Sequence, residues 1–567
     1  MKNELSEQIE KLFKQSMENH PVFANMEQGK MKDLSKDFLK SFETLYGNDK
    51  NPFAAWTQTW LEYQKDLARV WLNAASEPSR DHRFKADEWN EGIFPLLRQS
   101  YELTTKAMVD IADSAGLPAH QQDQLSFYAR VAADGLAPSN YALTNPEVLK
   151  LARETKGQSL IDGFKNLLAD LEKGYITTTD ENAFEVGKNL ATSPGAVIYR
   201  NELIEVIQYE PMTAKVRSNP ILIVPPCVNK FYIFDLNEKK SMIRYMLEQG
   251  HSVYTIAWRN PDRELGEYGW DEYIEKGIFE AIKVTSDVSK SDSVDILGWC
   301  NGGSMLVAAL AVLTDELRAK LGSATFLSSM IDFSNPGQLG VFMDESQNNA
   351  YRLRLKSENV APGRDIANAM AMLHVNESIW NFVVSNYLLG KAPPPFDVLY
   401  WNSDTSNLPA KWYKTFVEDM YMADKLKQPG ALTFAGKPVD TRNINLPCYF
   451  LAADGDHIVP WQSSLTATSL VGGPCEFVLT TGGHVSGTVI NHPVRNRKQF
   501  WTEGKTADNA DTWLETATVS EGSWWPHWLG WLEKVNPGTE KAKPRSLGNR
   551  TYKPTDPAPG TYVLEKV

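Results

Sequence analysis

One ten-residue segment limits the folds open to this chain more than any other. Val294-Asp295-Ile296-Leu297 is a short apolar run, and Gly298-Trp299-Cys300-Asn301-Gly302-Gly303 follows it. Met305 to Leu313 is then almost wholly apolar and reads as a helix. Strand, tight Gly-x-Cys-x-Gly turn and helix in that order form a nucleophile elbow, with cysteine where a lipase carries serine. The glycines are needed because the turn is strained and neighbouring chains pass close to it. A thiolate is a strong nucleophile, and its exchange with a thioester costs little free energy. The elbow therefore points to acyl transfer and the cysteine to thioester substrates. The competing reading is a buried structural cysteine in a Gly-rich turn.

Two later segments bear on that choice. An α/β-hydrolase fold carries nucleophile, acid and histidine in that chain order. Residues 447–453 read as an apolar strand, and Asp454-Gly455-Asp456-His457 is an acidic turn after it. Residues 477–481 read as another strand, and its Gly482-Gly483 end delivers His484. Cys300, Asp456 and His484 thus each follow a predicted strand, in the expected order. Taken alone, His484 is a loop histidine and Asp456 a turn or capping residue. Asp454 is the rival acid; Asp456 is preferred because it stands directly before the Ile458-Val459-Pro460 entry to the next helix. An oxyanion hole needs two backbone N–H donors. Asn301, after the nucleophile, supplies one. The loop after the strand 221–224 is Pro225-Pro226-Cys227-Val228-Asn229-Lys230. Its prolines cannot donate, which leaves Cys227 or Val228, and Val228 is taken as the donor.

Alternating strands and helices set the architecture. Strands are expected at 197–199, 204–209, 221–224, 251–258, 294–299 and 324–327, with helices at 241–249 and 271–288. That alternation predicts a mostly parallel sheet covered on both faces. Regularity stops from 335 to about 442, and strands return at 447–452 and 475–480. An insertion of that size reads as a cap over the active site. Its aromatics, Trp380, Phe382, Tyr387, Phe396, Tyr400 and Trp401, either line an apolar passage or form the cap's own core. Residues 1–190 read as a helical N-terminal domain, and 191–567 as the α/β catalytic domain. Two apolar stripes mark the first: Leu5, Ile9, Leu12, Phe13 and Met17, then Trp56, Trp60, Tyr63, Leu67 and Trp71. Packing within the domain is the preferred reading of the Trp stripe; the first stripe is core, dimer face or particle-binding surface.

Composition excludes some classes. The 567 residues carry a net charge of −13, which argues against a nucleic-acid binder. No run of about 18 apolar residues exists, so no membrane span is expected. The charged N-terminus does not read as a signal peptide. Four widely spaced cysteines make neither a disulfide framework nor a metal-ligand pattern. A reducing cytoplasm suits a free thiol. No metal, nucleotide or flavin motif is present.

Several longer motifs carry a resemblance. These are Asp81-His82-Arg83-Phe84 with Trp89, Pro225 to Leu236, Trp258-Arg259-Asn260-Pro261-Asp262, and the elbow. Further on stand Pro394-Pro395-Phe396-Asp397, Trp401-Asn402-Ser403-Asp404, Asp456 to Trp461, Ser486-Gly487 after His484, and Gly522-Ser523-Trp524-Trp525-Pro526. Over most of its length the chain resembles poly(3-hydroxyalkanoate) synthases of the single-subunit type. The resemblance implies polymerisation of 3-hydroxyacyl groups from coenzyme A thioesters, with release of coenzyme A. It implies Cys300 as acyl carrier and His484 as general base. Asp456 would orient His484 or activate the incoming 3-hydroxyl, and His457 would support it. No cofactor is implied. Dimers, and attachment to intracellular polyester granules and their proteins, are implied as well. Trp299, Asn301 and the Val485-Ser486-Gly487-Thr488 run depart from the family pattern, which bears on substrate preference and rate. A thioesterase or polyester depolymerase on the same fold, and a non-catalytic granule-coat protein, are the rival readings.

Overall fold

The computed structural model describes residues 52–73, 79–495, 497–505 and 509–567. The stripe from Leu5 to Met17 lies outside them. By its internal contacts the chain divides into two compact units. One holds the described residues up to Leu167 together with Val375–Lys391; the other holds Leu168–His374 and Ala392–Val567.

The first unit contains the helices Pro52–Asn73, Phe94–Asp113, Ala119–Gly135 and Pro146–Glu154. Phe84, Trp89, Tyr101 and Ala137 make a small core, so the Asp81-His82-Arg83-Phe84 motif is structural here. The Arg83 guanidinium holds it together. It donates to Asp81, to the Tyr101 hydroxyl at 3.0 Å and to Asn376 at 3.0 Å. The Trp stripe is only half used. Trp56 donates its indole N–H to the Ile111 carbonyl, whereas Trp60 and Trp71 are 53% and 60% exposed. Val375–Lys391 packs tightly within this unit. The Asn166 amide donates to the Asn386 carbonyl at 3.0 Å, and a Cβ on Gly163 would lie 1.9 Å from the Tyr387 carbonyl oxygen.

The second unit is built on a ten-stranded sheet. Its strands are β1 (Gly195–Arg200), β2 (Ile204–Tyr209), β3 (Ile221–Val224), β4 (Val253–Trp258), β5 (Val294–Trp299), β6 (Leu321–Leu327), β7 (Cys448–Ala453), β8 (Cys475–Thr480), β9 (Gln499–Thr502) and β10 (Thr518–Glu521). The spatial order is β1-β2-β4-β3-β5-β6-β7-β8-β9-β10. The strands from β4 to β8 run parallel, and two antiparallel strands flank them on each side. β3 and β7 are buried along their whole length, which is why they read as unbroken apolar runs; β5 is buried too but carries Asp295, which accepts from Ser323 and Asn536. This is the α/β-hydrolase fold that the elbow implied. Covering helices include Met242–Glu248, capped by the Ser241 hydroxyl, and Asn301–Ala311. Trp524, Trp525 and Trp528 at the start of the helix Trp525–Val535 are buried in the main core. Between β6 and β7 the insertion forms the helices Glu345–Glu358 and Gly363–Leu373, and Ala410–Lys414 continuing into the wider turns of Thr415–Met422.

Candidate active site

Three strand ends build the site. β5 ends at Trp299, and Cys300 turns the chain with φ 54° and ψ −132° before the helix Asn301–Ala311 begins. Positive φ in a non-glycine residue is a strained state held by its surroundings. Close approach explains the glycines. A Cβ on Gly298 would meet the Gly303 Cα at 2.6 Å, and one on Gly302 would meet the Pro225 carbonyl oxygen at 2.5 Å.

β7 leads into the turn that carries Asp456, and β8 into the turn that carries His484. His484 Nδ1 and Asp456 Oδ2 are 2.7 Å apart. The other carboxylate oxygen, Oδ1, accepts the Ile458 and Val459 N–H groups, each at 2.9 Å. Asp454 is engaged elsewhere, accepting the Gly482 N–H at 2.9 Å. Burial alone would raise the Asp456 carboxyl. The His484 charge, its hydrogen bond and the Val459 N–H outweigh burial, and the pKa lies below the usual aspartate value. Burial alone would lower His484. Asp456 and Cys300, through charge and hydrogen bonding, outweigh it and hold the imidazole well above its ordinary value. His484 Nε2 is buried and has no well-aligned hydrogen bond among the described residues. The Cys300 thiol nevertheless acts on the ring at close range; such contacts often tighten only when substrate is bound. Trp299 stacks on the same ring, with centroids 5.2 Å apart. His457 lies beside this line, within reach of the Asp456 and His484 charges. Its ring meets His374 edge-on at 4.2 Å, and burial, with His374 beside it, lowers its pKa to about 4.

The loop 225–230 is pinned by residues from the longer motifs. The Pro225 carbonyl accepts the Trp258 indole N–H at 2.9 Å, and the Lys230 carbonyl accepts that of Trp401 at 2.7 Å. Lys230 and Asp404 form a buried ion pair at 2.8 Å. The Cys227 N–H is taken, because it donates to Asn301 Oδ1 at 3.2 Å. The Val228 N–H has no acceptor among the described residues, and neither has the Asn301 N–H at the first turn of its helix. Both residues border the same cavity as Cys300.

That cavity has a volume of about 270 Å³. Insertion residues form most of its wall, among them Met343, Tyr351, Met370, Tyr413, Phe416 and Tyr421. None of the six aromatics singled out in the sequence lines it. Trp401 is buried in the core, Phe396 is exposed, and Trp380, Phe382 and Tyr387 belong to the first unit. A usable signal was present: Tyr413, Phe416, Val417 and Tyr421 recur at helical spacing. Among the described residues no helix is long and apolar enough to cross a membrane, and no His, Cys, Asp or Glu cluster has the form of a metal site.

Comparison with known proteins agrees with this architecture. Residues 80–246 match the poly-beta-hydroxybutyrate polymerase (PhaC) N-terminus, and residues 220–487 match the alpha/beta hydrolase fold. The poly(3-hydroxyalkanoate) polymerase subunit PhaC of Cupriavidus necator is 39% identical over 516 residues, covering 89% of this chain and 87% of that one. Poly(3-hydroxyalkanoate) polymerase 1 of Ectopseudomonas oleovorans is 38% identical, covering 88% and 90%. The PhaC subunit of Rhizobium meliloti is 34% identical, covering 88% and 83%. With similarity of this order over most of each chain on an α/β-hydrolase frame, the chain belongs to the poly(3-hydroxyalkanoate) polymerases, a family of acyltransferases.

Proposed function

We propose that this chain polymerises (R)-3-hydroxyacyl-coenzyme A, 3-hydroxybutyryl-coenzyme A in particular, into polyhydroxyalkanoate through a Cys-His-Asp covalent intermediate. The observation that carries the reading is the Cys300–His484–Asp456 line at the edge of an apolar cavity, with two unengaged backbone donors beside the thiol. His484 takes the Cys300 proton, and the thiolate attacks the thioester carbonyl. The Asn301 and Val228 N–H groups bind the oxyanion. Coenzyme A leaves with the proton returned by His484, and an acyl-Cys300 thioester remains. The 3-hydroxyl of another unit then gives its proton to His484 and attacks that thioester, forming an oxygen ester. Asp456 holds the imidazole tautomer and stabilises the imidazolium. A cavity walled by apolar side chains favours the hydroxyl acceptor over water. The scheme needs no cofactor.

Assembly is assigned to the N-terminal region, as a homodimer in the cytoplasm attached to polyester granules and their proteins. Its support is apolar exposure: Trp60, Leu61 and Trp71, and Leu160, Ile161 and Phe164, are all at least 40% exposed. One assay tests the catalytic reading. Purified protein is given 3-hydroxybutyryl-coenzyme A, and released thiol and insoluble polyester are measured. Thiol with polymer supports a polymerase. Thiol alone means a hydrolase, and neither means a coat protein.

A further inference from the structure

Two cysteines lie far from the cavity and take no part in the scheme above. Cys448 opens β7 and Cys475 opens β8, at the ends of those strands remote from Asp456 and His484. The two strands are parallel neighbours, and Cys448 is the register partner of Cys475. Register partners in adjacent strands project side chains from the same face, and their Cα atoms are about 4.8 Å apart. A disulfide spans Cα separations of roughly 4.4–6.8 Å.

The backbone around the pair is tied down on both sides. The Cys448 N–H donates to the Pro474 carbonyl at 2.8 Å. A Cβ on Gly473 would come within 1.9 Å of the Leu446 carbonyl oxygen, so the two approaching loops are in direct contact. The environments of the thiols differ: Cys448 is fully buried and Cys475 is exposed. Cys475 lies within reach of the Thr468 and Gly473 carbonyls, each at 3.4 Å. The Cys448 thiol donates to the Leu446 carbonyl at 3.3 Å, and its closeness to Cys475 lowers the Cys475 pKa below the ordinary thiol value. The same contact, with burial, raises Cys448. This asymmetry suits an attacking thiol backed by a resolving one.

We propose that Cys448 and Cys475 form a reactive dithiol that closes to a disulfide on exposure to a peroxide and that, when reduced, takes thiophilic ligands such as trivalent arsenicals. The Cys475 thiol gives up its proton, the thiolate attacks one peroxide oxygen, the O–O bond breaks, and the departing hydroxide takes up that proton as water. Cys475 is then a sulfenic acid. The Cys448 sulfur attacks that sulfur, the S–S bond forms, and the hydroxyl leaves as a second water with the Cys448 proton. The two thiols lose two electrons and hydrogen peroxide gains them.

The test uses the reduced full-length protein. It is titrated with hydrogen peroxide, quenched with an alkylating agent, digested without reductant and mapped by mass spectrometry. The expected product is a Cys448–Cys475 cross-linked peptide, lighter by two hydrogens, and the two thiols should lose alkylation in step. Over-oxidation of Cys475 to sulfinic or sulfonic acid with Cys448 still free overturns the proposal, as does a cross-link to any other cysteine. A second measurement needs no change at buried Cys448. Cys300→Ala protein, which lacks the nucleophile thiol, should bind one equivalent of phenylarsine oxide. The Cys300→Ala/Cys475→Ala protein should lose that binding at least tenfold. Equal binding by both also overturns the proposal.

Discussion

The Asn301 side-chain oxygen accepts the backbone N–H of Cys227 at 3.2 Å. One bond thereby joins the residue after the nucleophile to the loop that faces it. It occupies the Cys227 donor and leaves Val228 as the donor open to the cavity. Asn301→Leu should strand the buried Cys227 N–H and loosen that loop. Single-turnover thiol release should slow about tenfold, below the full cost of removing an oxyanion donor. An unchanged acylation rate would show that the loop holds its position without Asn301.

Cys300→Ala should fold and make no polymer, since loss of a nucleophile costs several orders of magnitude. Polymer at even a few per cent of the wild-type rate would move the acyl carrier elsewhere. Cys300→Ser should acylate slowly, because the hydroxyl needs more help from His484 and the ester formed is a poorer donor than a thioester.

Asp456→Asn should destabilise the protein in a defined pH window. The His484 pKa is raised in the folded state, so its contribution is full below the ordinary imidazole value of 6.5 and fades as pH climbs through the raised one. The Asp456 pKa is lowered, so its contribution is full above the ordinary value of 3.8 and fades as pH falls through the lowered one. The gap in urea midpoint between wild type and Asp456→Asn should therefore be widest between pH 3.8 and 6.5. Asp454→Asn, whose amide oxygen can still accept the Gly482 N–H, should show no such window. A pH-independent gap would mean that the pair is not charged in the folded protein.

Ala369, on the helix Gly363–Leu373, borders the cavity. Ala369→Trp should fill much of the space and cut polymerisation at least tenfold. Alkylation of Cys300 by iodoacetamide, a far smaller reagent, should change less than threefold. Equal loss of both would mean that the cap had been disrupted rather than the acyl passage filled.

Local patterns made the site legible in the sequence. The elbow, the acidic turn and the Gly-rich turn before His484 are each set by residues a few positions apart. β3 and β7 were legible because doubly buried parallel strands are apolar throughout, and β5 because Asp295 is the one charged residue in its run. β9 and β10 were missed for the converse reason: the edge strand Thr518 to Glu521 is mostly exposed, and strands of four residues leave little pattern. The Lys230–Asp404 pair and the cavity wall depend on residues far apart in sequence. The cap's aromatics misled because Trp401, Trp380 and Tyr387 are placed for two different reasons. One fills the main core, and the other two serve the first unit.

Val375–Lys391 gives the first unit a discontinuous chain. During synthesis that unit cannot close its contacts until Lys391 has left the ribosome, after the nucleophile elbow has been made. Chain growth at about 5–20 residues per second then imposes a wait of tens of seconds. Through that interval Gly163 and Asn166 lack their native neighbours. The N-terminal part of this protein is therefore translated first but is not the first that can finish folding, and a chain stopped short of residue 375 would carry it permanently incomplete.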